Sequence, residues 1–226
     1  MKLMYAVWGS TLDDALREPE LHGRLAAAGA DAVQLNICDA DVRAAQLRHS
    51  TYDEPVAAIV SVWCEADHDP VTGALAAVSD AVNGWIVEER VPLAPPPTEN
   101  GTRCDALSNI ALLRTPPNME RADWLRYWHD KHTAVAIETQ ATFGYVQNTV
   151  VAALTPGRRV DAVVEELFPM AAMTDQHAFW GSGGDEAELQ RRVGRMMDSV
   201  NAFGVGQDLD VIPTSRYHYR LSPESR

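Results

Sequence analysis

The segment from Asn118 to His132 combines aromatic side chains with two histidines, residue types that can bind and deprotonate small organic molecules. At about 100° per residue, an α-helix places Trp124, Trp128 and His132 on one face. A histidine titrates near neutral pH and is the most common general acid or base. We therefore expect His132 to be catalytic, with Trp124 and Trp128 as an aromatic wall of a substrate-binding site.

A structural role for His132 stays open, because a buried histidine with a satisfied hydrogen bond is common in protein cores. His129 lies at the edge of the same helical face and is expected to contact the substrate. The His129–His132 spacing of i, i+3 would permit a metal pair. Since the sequence offers no obvious set of further ligands, we expect no metal.

Glu165 lies on a predicted strand, where side chains alternate between the two faces. Alternation places it on the same face as Val163, which is expected to point inward. An inward carboxylate beside His132 would form an acid–base pair with separated pKa values. The alternative is an exposed strand residue. We predict Glu165 to be the second catalytic residue.

Three further residues are expected to bind the substrate: Tyr145, Asn148 and Trp180. Gln147 and Asn148 alternate faces of one strand, so only one of these amides can orient a ligand in the cavity. Trp180 precedes the glycine-rich stretch 181–184, which could close over the site or be an ordinary loop.

Composition excludes several classes of function. The formal net charge is -13, from 32 acidic and 19 basic residues, which disfavours binding to nucleic acid and to anionic membranes. No nucleotide-binding glycine motif and no G-x-S-x-G elbow is present. Three widely spaced cysteines argue against a disulfide framework and suit a reducing cytoplasm. A cytoplasmic protein without a membrane span, bound nucleic acid or cofactor is expected.

A proline-rich connector, residues 93–103, divides the chain into an N-terminal half, 1–92, and a C-terminal half, 104–220. Prolines fix φ and remove amide donors, so the stretch from Pro92 onward is not expected to continue a strand. Both halves show the order βαββαβ. The predicted strands are 3–8, 32–38, 56–63, 85–91, 109–114, 145–151, 160–168 and 211–219. The predicted helices are 11–28 with a break at Pro19, 71–82, 118–140 starting at an Asn118 cap, 174–180 and 186–200.

The predicted fold class is α+β, with two fused ferredoxin-like units in an α/β-barrel arrangement. Such a unit covers one face of its sheet with helices and leaves the other face apolar, so that face must be buried. Two fused halves can bury these faces against each other within one chain, although a homodimer stays open. The similar segments Ala32–Asn36 and Tyr145–Asn148 support an internal duplication.

The C-terminal half resembles the EthD family of the dimeric α/β-barrel superfamily. The resemblance covers about residues 104–220 and depends on Trp128-x-x-x-His132, on Gly144-Tyr-Val-Gln-Asn148 and on the strand ending in Glu165. The first half lacks the W-x-x-x-H pattern and looks like a degenerate repeat. The resemblance implies a small-molecule site between helix and sheet, in proteins of catabolism or secondary metabolism.

We therefore expect a cofactor-independent enzyme that acts on a small apolar or aromatic molecule by acid–base chemistry. Dehydration, cyclisation or decarboxylation would make it a lyase, and cofactor-free oxygenation would make it an EthD-type oxidoreductase. Two alternatives stay open. One is a non-catalytic binding protein for a hydrophobic metabolite, and the other is a haem protein with His132 or His129 as axial ligand.

Overall fold

The computed structural model describes residues 1–65, 67–206 and 208–221, and its eight antiparallel strands close into one barrel. The strands are β1 Lys2–Trp8, β2 Ala30–Ile37, β3 Ala58–Cys64, β4 Ala81–Leu93, β5 Leu107–Leu113, β6 Gly144–Ala153, β7 Ala162–Phe168 and β8 Leu209–Arg220. The helices are α1 Leu12–Arg17, α2 Pro19–Ala27, α3 Asp69–Ala76, α4 Arg121–Tyr127, α5 Thr133–Thr139, α6 Gln176–Trp180 and α7 Glu186–Phe203. None of these helices combines the length and the apolar composition needed to cross a bilayer.

The strand order confirms two fused ferredoxin-like units. The first half contributes the order β4-β1-β3-β2, and the second contributes β8-β5-β7-β6, which is the same order. The halves join at two seams, β2 with β8 and β4 with β6, and both seams are antiparallel. Each seam pairs the second strand of one half with the last strand of the other. The chain therefore closes the barrel by itself, with an approximate two-fold relation between its halves.

Three apolar layers hold this arrangement together. One cluster, drawn from seven of the strands and centred on Met4, Trp85 and Ile110, fills the middle of the barrel. A second cluster packs α1, α2 and α3 against the outer face of the first half. A third packs α4, α5 and α7 against the outer face of the second half. The alternation of side chains along each strand thus separates a barrel interior from two helix-covered outer faces.

The connector begins later than the sequence suggests. Pro92 belongs to β4, which continues to Leu93 and pairs there with Tyr145 of β6. The pairing register shifts between Arg90 and Leu93, so Pro92 sits in a β-irregularity. A proline is tolerated at such a position because its missing N–H is not needed for the ladder.

Two predictions about helix starts had different outcomes. The break at Pro19 is confirmed, since Pro19 is the first residue of α2. The predicted Asn118 cap is wrong, because α4 begins at Arg121 after Glu120. Asn118 lies instead in a turn closed by a hydrogen bond from Met119 N to Pro116 O at 3.1 Å.

Candidate functional site

A π-helical turn, Trp128–His132, separates α4 from α5 and changes which side chains face the sheet. The Thr133 hydroxyl donates to Trp128 O, five residues earlier, at 2.7 Å. The extra residue in this turn rotates the following side chains, so the buried stripe continues from Trp128 to Thr133 and Ala136. A uniform rotation of 100° per residue predicts that His132, rather than Thr133, continues the buried stripe. That prediction is wrong. Such single π turns occur frequently at functional sites.

His132 faces the neighbouring helix α7. Its Nδ1 lies 3.0 Å from the Ser199 hydroxyl, and its ring stacks on Phe203 with centroids 4.9 Å apart. Burial lowers the pKa of His132 to about 4, so the ring is neutral at pH 7. A neutral histidine with a hydroxyl partner and a stacked ring matches the structural alternative, and the catalytic role of His132 stays a prediction.

Glu165 points into the barrel, on the other side of the sheet from His132. Its carboxylate accepts hydrogen bonds from Asn36 Nδ2 at 2.9 Å and from the Ser108 hydroxyl at 2.9 Å, and it pairs with Arg216 at 3.2 Å. Burial opposes ionisation, but Arg216 and the Asn36 and Gln34 amides hold the pKa of Glu165 below its usual value. The predicted His132–Glu165 pair is therefore not formed, because the sheet separates the two side chains.

The other predicted site residues lie either under the helices of the second half or in the barrel interior. Trp124, Trp128, Tyr145 and Trp180 meet in the cluster beneath α4, α5 and α7. The His129 ring lies 5.1 Å from the Trp128 ring, and burial followed by the nearby Arg90 lowers its pKa. Asn148 alternates with Gln147 and faces the barrel interior beside Val163, whose carbonyl it contacts at 3.3 Å.

A row of polar side chains crosses the helix-covered face of the second half. Glu166 on β7 is directly opposite Asn109 on β5 and Tyr145 on β6. Directly opposed residues in antiparallel strands have Cβ atoms about 4.5–5.5 Å apart. Asn109, Glu166 and Tyr145 are therefore immediate neighbours, and we call them the polar row. Sequence reasoning missed Glu166 and Asn109.

Electrostatics single out Glu166. Among the described residues it makes no ion pair, and burial alone raises its pKa to about 7. The residue as a whole is half-buried. Tyr145 is buried, and its pKa is raised by burial and by the adjacent Glu166 carboxylate. A carboxyl group that titrates near neutrality is suited to general base catalysis.

Several polar atoms on this face have no hydrogen-bond partner within the described part of the chain. They include Asn109 Oδ1, Gln147 Oε1, Trp124 Nε1 and His129 Nε2. Gln147 is held by its other amide atom, which donates to the Thr133 hydroxyl at 2.8 Å. Buried polar groups nearly always find a partner, so we expect water or a ligand to bond these atoms.

The corresponding face of the first half is apolar. Leu3, Leu35 and Val60 lie under its helices where the second half has polar groups. Tyr5 lies in this layer, and its hydroxyl is already bonded to the Thr72 hydroxyl at 3.0 Å. This contrast places the candidate site in the second half.

A group of side chains that could bind a metal ion lies away from the polar row. In the described ranges, Asp67, His68 and Asp69 come close enough together to hold a cation. They lie at the start of α3 in the first half and are partly or fully exposed. Neither His129 nor His132 takes part in this group.

We expect His132→Leu to leave activity nearly unchanged and to reduce stability. The variant leaves the Ser199 hydroxyl buried without a partner, which costs about 1–3 kcal/mol, and it does not alter the polar row. Denaturant unfolding measures the stability loss. A variant of normal stability that has lost its activity would instead make His132 the base.

Comparison with known proteins shows the fold. No protein-family model matches the chain, and no curated protein matches it. The solved structure of an anthrone oxidase-like protein aligns over 99% of this chain and 93% of its own, with a TM-score of 0.53 at 10% identity.

Two candidate monooxygenases also align over most of their length. That from Lactobacillus acidophilus covers 98% of this chain and 96% of its own, at 9% identity and a TM-score of 0.47. That from Fusobacterium nucleatum covers 97% and 93%, at 6% identity and a TM-score of 0.49. At 10% identity, the similarity to the anthrone oxidase-like structure shows that the two proteins share a fold, and it does not extend to a function.

Proposed function

We propose that the protein is an oxidoreductase that uses Glu166 as a general base on a small aromatic molecule and needs no bound cofactor. The observation that carries this proposal is the polar row, in which Glu166, whose carboxyl group has a pKa of about 7, lies between Asn109 and Tyr145. At neutral pH a substantial fraction of Glu166 is ionised and able to accept a proton. The aromatic cluster around Trp128 supplies a surface suited to a flat substrate.

The chemistry requires a substrate with an acidic C–H or O–H group. Glu166 would accept that proton, and the neighbouring side chains of Tyr145 and Asn109 would stabilise the resulting enolate or phenolate oxygen. An electron-rich carbanion transfers electrons directly to dioxygen. For a benzylic CH2 group flanked by a conjugated ketone, the balanced reaction consumes one O2 and yields the new carbonyl and one water.

Two similarities guide the choice of substrate. The anthrone oxidase-like neighbour makes anthrone the first compound to test. The EthD-like pattern Gly144-Tyr-Val-Gln-Asn148 belongs to the same proposal, because it contributes Tyr145 to the polar row and Gln147 beside it. The acid–base character expected from the sequence is kept, with Glu166 rather than His132 as the base.

Oxygen uptake with anthrone, measured against its spontaneous oxidation, tests the proposal. We expect wild-type protein to accelerate oxygen consumption and quinone formation after treatment with a chelator, and Glu166→Gln to lose that acceleration. Equal rates for wild type and Glu166→Gln, over a panel of hydroxylated anthrones and naphthols, would contradict the assignment.

The same panel separates the two alternatives. Tight binding with the compound returned unchanged by wild type would indicate a metabolite-binding protein. Haemin added to the protein would give a shifted Soret band, removed in His129→Leu or His132→Leu, if either histidine were an axial ligand. The proposal predicts neither result.

A further inference from the structure

A large cavity opens at the end of the barrel where β2 leads into β3, away from the polar row. Its volume is about 1050 Å³, and small-molecule sites commonly measure about 300–1,000 Å³. The walls come from three segments, 38–57, 80–83 and 156–158, together with the end of β1. Both halves of the chain thus contribute to it, and none of the residues of the polar row does.

The segment 38–57 forms one wall of the cavity. It connects β2 to β3, whereas the equivalent connection in the second half, between β6 and β7, is the much shorter 154–161. His49 and Val211 exchange backbone hydrogen bonds at 3.0 and 2.8 Å, and the Thr51 hydroxyl donates to Asp210 at 3.0 Å. Long connections in compact domains are usually functional, and these contacts hold this one against β8.

One side of the cavity is aromatic. The rings of Trp8 and Tyr52 meet edge to face, with centroids 5.1 Å apart. Trp8 Nε1 donates to Glu54 O at 3.0 Å, so the polar atom of the indole is already satisfied. The Arg114 guanidinium lies 5.6 Å from the Tyr52 ring centroid and helps fix that ring. Two oriented rings on one wall favour a planar aromatic ligand.

The cavity also contains two arginines that form no ion pair with any described residue, Arg43 and Arg48. The third arginine of the lining, Arg158, is paired with Asp208 at 2.8 Å. The Arg48 guanidinium reaches the mostly buried Cys38 thiol, which donates to Val56 O at 3.3 Å. Both arginines are exposed, so two positive charges that have no ion-pair partner among the described residues line the solvent-facing part of the cavity.

Acidic groups complete the lining. The Asp39 carboxylate is occupied, because the Ser215 and Tyr217 hydroxyls donate to it at 2.8 and 3.0 Å. Asp53, Glu54 and Asp80 are exposed, as the two arginines are, and offer hydrogen-bond acceptors. The cavity thus combines two exposed arginines, an aromatic wall and carboxylate acceptors.

We propose that this cavity binds a planar aromatic carboxylate, with its ring against Trp8 and Tyr52 and its carboxylate on Arg48 and Arg43. Hydroxyl groups on the far side of the ring would donate to the exposed carboxylates. An arginine–carboxylate contact is charge-assisted and directional, so the anionic group supplies the specificity. This proposal does not depend on the reaction assigned to the polar row.

Isothermal titration calorimetry on the full chain tests the proposal with 6-hydroxy-2-naphthoate, its neutral amide and 2-naphthylmethylammonium. We expect the carboxylate to bind best, and Arg48→Gln to raise its Kd about tenfold or more without changing that of the amide. Arg126→Gln removes an exposed arginine outside the cavity and serves as the matched control. Tyr52→Leu should weaken the carboxylate and the amide together.

Three results would overturn the proposal. They are equal binding of the amide and the carboxylate, tighter binding of the ammonium compound, and no saturable binding of the carboxylate up to about 1 mM. Loss of carboxylate binding in Glu166→Gln, with Arg48→Gln unaffected, would place the ligand at the polar row instead. Unfolding curves for each variant establish that the fold is intact.

Discussion

Glu166→Gln should lower kcat/KM for the oxidised substrate by about 10²–10⁴-fold, the contribution expected of a positioned general base. The amide keeps the size of the side chain but cannot accept the proton. In wild type, activity should fall as pH decreases through about 7, because protonation of Glu166 removes the base. Steady-state kinetics across this range measure both effects, with Glu88→Gln, an exposed glutamate on β4, as the control.

The same variant should be more stable than wild type at alkaline pH. Burial raises the pKa of folded Glu166 from 4.5 to about 7, so the folded state binds the proton more tightly than the unfolded state. That contribution to stability is complete below about pH 4.5 and is lost as pH rises through about 7. Glutamine stays uncharged, so Glu166→Gln should lack this loss.

Denaturant unfolding of wild type and Glu166→Gln at about pH 5 and about pH 8 measures the difference. A loss of activity together with a gain in stability is the signature of a functional charge held in an unfavourable position. Reduced activity with reduced stability at both pH values would indicate a structural carboxylate and contradict the assignment.

Glu165→Gln, one position earlier, should have the opposite effect on stability and lower it by about 3–5 kcal/mol. The side chains of Glu165 and Arg216 are 4% and 12% exposed, so removing the negative charge leaves a mostly buried guanidinium without its carboxylate partner. Glutamine also replaces the oxygen that accepts from the Gln34 amide at 3.0 Å with a second amide donor. Equilibrium unfolding in urea measures the loss.

The pH dependence of this pair distinguishes it from Glu166. The pKa of folded Glu165 is below its ordinary value of 4.5, so its contribution is present above that pH and is lost as pH falls further. The double variant Glu165→Gln/Arg216→Met removes both charges and should recover part of the stability. A single variant as stable as wild type would show that the network is not structural.

The order of strands and helices follows from the sequence because both periodicities are clear in it. Alternating apolar residues mark the strands. Prolines, glycines and acidic caps mark the ends of the strands and helices. The seams between halves follow less directly, since pairing of β2 with β8 joins residues far apart in the chain. They were predictable only through the repeated βαββαβ order, which leaves each half with two open strand edges to be covered.

The site was harder to predict for two local reasons. A single π turn moves His132 aside and brings Thr133 to the sheet, and no residue pattern marks such a turn in advance. Glu165 and Glu166 are adjacent, so one must face the barrel and the other the helices. Two consecutive glutamates in a buried strand were the signal that the sequence offered. Only the contacts in the folded protein show which of the two carboxylates has charged and hydrogen-bonding partners and which has none among the described residues.

The most direct test is a titration of Glu166 by NMR of protein labelled with ¹³C at glutamate carboxyl groups. We expect one glutamate resonance that titrates at about pH 7 and is missing from the spectrum of Glu166→Gln. Addition of a bound aromatic ligand should shift that resonance. A Glu166 carboxyl that titrates near its ordinary value of 4.5 would be too weak a base at neutral pH for the role proposed here.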